Sequence, residues 1–153
     1  MSESNTIDRM SLTTVVTKEI LFDVYGYTAT KVMAGSGEHF QSERFTVGGH
    51  DRAFRYYPKG KGCGPYISVC LVLLSRPKDG GQVGVMFACE MLNSSGAPTG
   101  VRRVSSFVFS AYGEWQGFVR FGLRDDLEED YLVDDCFSLK CMISVLKKPC
   151  SDN

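Results

Sequence analysis

Short runs with a two-residue period recur along the chain, divided by Gly, Pro, Asn and Asp clusters, and each predicts a strand. Glu19–Tyr25 (EILFDVY) sets Ile20, Phe22 and Val24 on one face. Glu43–Val47 and Arg52–Tyr57 follow, separated by Gly48-Gly49-His50-Asp51, which predicts a hairpin turn. Tyr66–Leu74 (YISVCLVLL) is almost wholly apolar and predicts a central strand, with Ile67, Val69, Leu71 and Leu73 toward the core. Pro77–Gly81 turns the chain into Val83–Leu92. Asn93–Gly100 then leads to Val104–Ser110 and, after Gly113, to Gly117–Leu123. In that last run Val119 and Phe121 are expected on one face and Phe118 on the other, beside Arg120. The final run, from Cys136 to Leu146, alternates an apolar face (Phe137, Leu139, Cys141, Ile143, Val145) with a mixed one.

A 3.6-residue period is visible in one place, where Leu123, Leu127 and Tyr131 recur at intervals of four. They predict a short helix over Arg124–Leu132 with its acidic residues in solvent. Eight strand runs and one short helix before the last of them predict an all-β, antiparallel sandwich. Residues 1–15 are polar and aperiodic and read as a disordered segment, 16–147 as one domain, and 148–153 as a tail.

Composition changes this picture little. The chain of 153 residues is 43% hydrophobic and 23% charged, with a formal net charge of -1. Without a clustered positive field it does not read as a nucleic-acid binder. No run approaches the roughly 18 apolar residues that span a bilayer, so no membrane partner is expected. Six cysteines are present, but no signal peptide is visible at the N-terminus, and Cys70, Cys89, Cys136 and Cys141 lie within apolar runs. They read as free thiols in a reducing compartment, cytoplasm or nucleus, with Cys63 and Cys150 in loops.

Candidate chemistry is sparse. The two histidines, His39 and His50, stand in Gly-rich polar loops. A nucleophilic pair of Cys63 with His50 has no local signature. No CxxC or HxxxH spacing offers a zinc site, and Asp125 to Asp135 do not match a calcium loop. The Gly clusters at 35–37 and 60–64 lack a phosphate-cradling pattern. The expectation is a protein that is not an enzyme and needs no cofactor or metal. Several aromatics (Phe107, Phe109, Trp115, Phe118) exceed what one core face requires. Either loops cover them, or they border a shallow groove of the kind that accepts an extended peptide.

The order of motifs carries more information. RYYPKG, then YISVCLVLLSRPK, then GFVRFGLRDDLEEDYLVDDCFSLKCMISV resembles the MATH (meprin and TRAF homology) domain. Residues 22–60 resemble the form found in grass MATH–BTB proteins, the branch that includes the speckle-type POZ proteins. The resemblance runs from about Val16 to Leu146. It implies an eight-stranded TRAF-like sandwich that binds short linear motifs, of apolar, polar and several Ser or Thr residues, in a surface groove. It further implies the substrate-recognition part of a cullin-based ubiquitin ligase adaptor, with protein partners that include BTB-containing paralogues. The alternative is a free-standing MATH protein that self-associates as a scaffold or competes with such adaptors. Because the short N-terminus has no heptads, a monomer is expected. Catalysis would come only through fusion to a protease.

Carried over position by position, the resemblance places Tyr66, Cys70, Phe87, Phe107, Glu114, Trp115 and Phe118 in the peptide groove. There are three departures. Cys70 stands where that branch has an aromatic, so the groove is expected to be roomier there. Trp115-Gln116-Gly117-Phe118 is one residue longer than W-G-F, so either Gln116 is inserted or Trp115 has shifted. The third is the expectation of a tail without a BTB region after the last strand, at KKPCSDN, which reads either as a fragment of a longer protein or as a free-standing recognition domain.

Overall fold

The structure, a computed structural model, describes residues 5–62, 64–78, 81–93 and 95–147. The period-two runs form strands of two antiparallel sheets. The first sheet has the order β1-β9-β6-β7, from β1 (Thr14–Val24), β9 (Phe137–Lys147), β6 (Val83–Asn93) and β7 (Pro98–Phe109). The second has the order β2-β4-β5-β8, from β2 (Phe40–Gln41), β4 (His50–Tyr57), β5 (Tyr66–Leu73) and β8 (Trp115–Leu123). β3 (Phe45–Val47) also pairs with β4. The described residues therefore form nine strands where eight runs were read. The extra one, Phe40–Gln41, is too short to show a period and exists because Tyr56 and Arg55 lie opposite it.

The turn expected at Gly48–Asp51 is a two-residue hairpin. Val47 pairs with His50, and both Gly48 and Gly49 have positive φ, at 60° and 81°. Only glycine adopts two successive left-handed positions at little cost, and this turn matches the twist of the flanking strands.

Between the sheets lie Phe54, Tyr56, Ile67, Val69, Leu71, Leu73, Val85, Phe87, Phe121, Phe137, Leu139 and Ile143, all buried. Aromatic rings continue through this layer. Phe22 stacks on Phe54 at 5.2 Å, Phe54 on Phe87 at 6.1 Å, and Phe87 on Phe118 at 5.2 Å. The core thus ends in a ring beside the edge strands β7 and β8.

The helical pattern before β9 is present as α2 (Arg124–Asp126) continued by a wider π turn over Leu127–Tyr131. Leu127 is buried, and Asp125, Asp126, Glu129 and Asp130 face solvent. A second helix, α1 (Tyr27–Met33), corrects the reading of a single helix. Its seven residues carry no capping side chain of their own. The acceptors come instead from more than 90 positions away. Asp135 takes the Thr28 N–H and hydroxyl, and Glu128 takes the Tyr27 hydroxyl at 2.7 Å and the Lys31 ammonium at 2.6 Å. A helix this short is unstable alone and forms through tertiary contacts. β1 opens at Thr14, so the first strand begins two residues inside the segment expected to be disordered.

Candidate functional site

β7 ends one sheet and β8 ends the other, and among the described residues each pairs on a single side. Their inward faces meet along a seam at the side of the sandwich. Phe118 of β8 and Phe107 of β7 are half-buried there, with ring centres 6.1 Å apart. Phe87 stacks under Phe118 at an interplanar angle of 16°, and Phe121 packs beside it at 6.3 Å. Val101 and Gly122 continue the seam. A Cβ on Gly122 would sit 3.5 Å from the Val101 methyl, an ordinary contact. Free strand edges above an apolar floor are the elements that β-strand addition uses.

The seven residues expected in the groove do not all meet there. Phe107 and Phe118 line the seam with part of each ring accessible. Phe87 is fully buried, so it supports Phe118 from beneath and has no surface of its own to offer a ligand. Cys70 is also fully buried, and the roomier groove expected at this position is corrected. The reason is the close approach of β8. Gly117 lies opposite Cys70, and a Cβ there would come within 2.5 Å of both the Cys70 Cα and the Val69 carbonyl. Backbone fills the space that a side chain was expected to leave. Burial also pushes the Cys70 thiol up to about 12, which leaves it a small apolar group rather than a nucleophile.

Trp115 is the largest displacement. Side chains alternate across a strand, so a spacing of two keeps residues on one face and a spacing of three separates them. The pairs Val69–Phe118 and Val72–Trp115 place Phe118 inward and Trp115 on the outer face of its sheet. The additional residue in Trp115-Gln116-Gly117-Phe118 thus moves the indole out of the seam and brings in Gln116, opposite Leu71. On the outer face Trp115 is covered by the Lys61 ammonium, 4.3 Å from the ring centre, and the same ammonium lies 5.2 Å from the Tyr57 ring. The loop carrying Lys61 is pinned by Ser68, whose hydroxyl accepts the Lys61 N–H at 2.9 Å and donates to the Val119 carbonyl at 2.7 Å.

Tyr66 occupies the same outer face, opposite Leu123, with the Arg120 guanidinium 5.9 Å from its ring. Glu114 precedes β8. Its carboxylate accepts the Ser110 N–H at 2.8 Å and the Gln116 amide at 3.2 Å, and the Ser110 N–H in particular holds it below the usual carboxylate range.

The expectation that Phe118 and Phe121 point to opposite sides is also corrected. The partners of Val69 and Ile67 in β5 are Phe118 and Gly122, four apart rather than two. This bulge lets both rings pack on the core. Phe121, Val101 and Gln116 were not identified from the sequence, because only the bulge and the shifted register bring them to the seam.

His50 contacts the Ser75 hydroxyl at 3.4 Å, and His39 packs on Tyr57. Cys63 and Cys150 lie outside the described residues. Burial foremost pushes both histidines below their ordinary value.

A seam with apolar floor and free edges is what a protein-binding domain requires, and known proteins agree with this coarse reading. The MATH domain family matches residues 19–143. BTB/POZ and MATH domain-containing protein 4 of Arabidopsis thaliana is 32% identical over 160 residues, covering 95% of this chain and 33% of that protein. Protein 6 of the same series is 32% identical, with 94% and 36% covered, and protein 5 is 31% identical, with 89% and 35% covered. The chain therefore spans about a third of the length of these relatives. The sandwich, the motif order and the match over most of its length make the chain a member of the MATH domain family of protein-interaction domains.

Proposed function

We propose that this domain binds an extended segment of a partner protein along the β7–β8 seam and so acts as the substrate-recognition part of a cullin-based ubiquitin ligase adaptor. The observation that carries the reading is Phe118. It is a half-buried ring on an edge strand, stacked on a buried phenylalanine and flanked by Phe107, with free strand edges alongside. The relatives' names couple MATH with a BTB/POZ region. A BTB region on the same polypeptide or on a bound paralogue would supply the link to the ligase. An extended peptide would form backbone hydrogen bonds with a free edge and seat one apolar side chain against Phe107 and Phe118. Interfaces of this size bind at roughly micromolar strength, about -8 kcal/mol.

The test is selection from a display library of random linear peptides, followed by mapping of the enriched peptides on the domain by amide chemical shifts. Perturbations should centre on β7 and β8. Phe107→Ala and Phe118→Ala should each weaken binding, whereas Trp115→Ala should retain it. Loss in Trp115→Ala alone, or perturbations on the outer face around Tyr57 and Tyr66, would move the site off the seam.

Self-association has a separate observation in its favour. Val15, Leu146 and Val108 are 57%, 46% and 51% exposed. They form one row across the outer face of the first sheet, through the pairs Val15–Leu146 and Gly84–Val108 and the packing of Leu146 on Gly84. Sedimentation velocity separates the readings, since a monomer across the micromolar range removes this second one.

A further inference from the structure

At the end of the sandwich where β4 gives way to β5 and β8 runs into α2, a pocket of about 520 Å³ is lined by Lys31, Val32, Ser36, Lys59, Gly64 and Arg124. It shares no residue with the β7–β8 seam. Three of its six lining residues are cationic and none is acidic. Its walls are tied together, since the Gly37 N–H donates to the Gly60 carbonyl at 3.1 Å and joins the loop after α1 to the loop after β4. The Arg124 guanidinium donates to the carbonyl of Tyr66 at 2.9 Å and to that of Gly64. Both acceptors are neutral, so these bonds fix the direction of Arg124 while using two of its five N–H donors, and the Glu128 carboxylate is near enough to feel its charge without forming an ion pair with it. Lys31 is paired with Glu128, but among the described residues neither Lys59 nor Arg124 has an ion pair. The neighbouring carboxylates Asp125, Asp126, Glu129 and Asp130 are exposed and do not line the pocket.

We infer that this pocket binds a phosphate monoester. Two cations with no ion pair among the described residues, one of them a guanidinium with further donors, and the Ser36 hydroxyl match a group that carries close to two negative charges and three acceptor oxygens. A carboxylate would neutralise only one of the two cations. Lys59 provides a point charge, and Arg124 the oriented donors. The phosphate belongs either to a phosphorylated side chain of a protein or to a free small molecule, and the pocket chemistry is the same for both.

The test is an amide chemical-shift titration of the intact chain with inorganic phosphate, O-phosphoserine, and a phosphoserine peptide beside its unphosphorylated twin. Saturable shifts are expected at Ser36, Lys59 and Gly64 with the phosphorylated probes and not with the unphosphorylated peptide. Lys59→Glu should weaken them on the order of tenfold or more while leaving the melting temperature unchanged. Lys59→Met serves the same purpose if the charge reversal disturbs the loop. Tighter binding of the phosphopeptide than of O-phosphoserine supports a protein source, and equal binding supports a small molecule. Absence of saturable shifts at these amides, or equal shifts in the wild type and the Lys59 variants, overturns the inference.

Discussion

Arg52 is the sharpest test of how this core is assembled. It lies in β4 between Phe45 and Leu73, is fully buried, and among the described residues none of its three guanidinium nitrogens has a hydrogen-bond partner. Its nearest compensation is the Phe109 ring, whose centre is 5.0 Å from Cζ. Burial lowers its pKa from the ordinary guanidinium value to about 10, and at about 1.4 kcal/mol per pH unit the interior charge costs about 3 kcal/mol. The contact with Phe109 returns about 1–2 kcal/mol. Arg52→Met keeps most of the volume, removes the charge and places a thioether against the same ring, a contact of about 1 kcal/mol. The expected result is stabilisation of about 1–3 kcal/mol, with a melting temperature higher by about 2–4 °C per kcal/mol. Arg52→Ala leaves the same site unfilled and should show a smaller gain or a net loss.

Urea unfolding followed by circular dichroism measures both variants. The sign of the pH dependence is determined too. The folded-state pKa lies below the unfolded one, so the penalty is complete below about pH 10 and eases only as pH rises toward the ordinary guanidinium value. At neutral pH the gain in Arg52→Met should therefore not vary with pH. A variant that keeps the native spectrum but unfolds at lower urea than wild type would refute the reasoning, because the guanidinium would then be making a net contribution to the fold.

Deleting Gln116 restores a spacing of two between tryptophan and phenylalanine and should return the indole to the inner face. The chain has one tryptophan, so a shift in its fluorescence emission reports this directly, and an unchanged spectrum would count against the register argument. Gly117→Ala forces a Cβ to within 2.5 Å of neighbouring backbone and should destabilise by at least about 1–3 kcal/mol, measured by the thermal midpoint. Phe118→Ala should cost about 2 kcal/mol of stability as well as weaken peptide binding, so its binding loss must be read on protein shown to be folded. The Glu128 carboxylate, held low chiefly by Lys31 and then by the Tyr27 hydroxyl, stabilises above the ordinary carboxylate pKa and loses that contribution as pH falls through its own lower value. Glu128→Gln should therefore lower stability at pH 7 and flatten the acid limb of the stability profile, and an unaltered acid limb would argue against the link to α1.

Most of the architecture was legible because it rests on local periodicity. Strands that bury one face must alternate, and β9 (Phe137–Lys147) shows this from end to end, with its apolar positions buried as the pattern requires. β5 was legible for a different reason, since a near-continuous apolar run fits only a strand covered on both sides. Ser68, Cys70 and Val72 on its reverse face are indeed as buried as its core face. α1 was missed because its cap comes from Asp135 and its side chains are anchored by Glu128, partners that no local pattern announces.

The candidate site divides along the same line. Phe107 and Phe118 were expected together from the sequence, and the structure places their rings side by side. The wall expected from Trp115, Cys70 and Tyr66 depends on which face each residue takes. That depends on strand register, and register is a property of two strands. The residue types, their alternation and their family order were determined by the sequence, because hydrophobic burial acts on each strand through its own period. The tertiary structure alone decided that Gly117 closes over Cys70, that a bulge turns Phe121 inward, and that one additional residue carries Trp115 to the opposite surface. Those outcomes depend on how far one backbone can approach another, a distance that no single strand encodes.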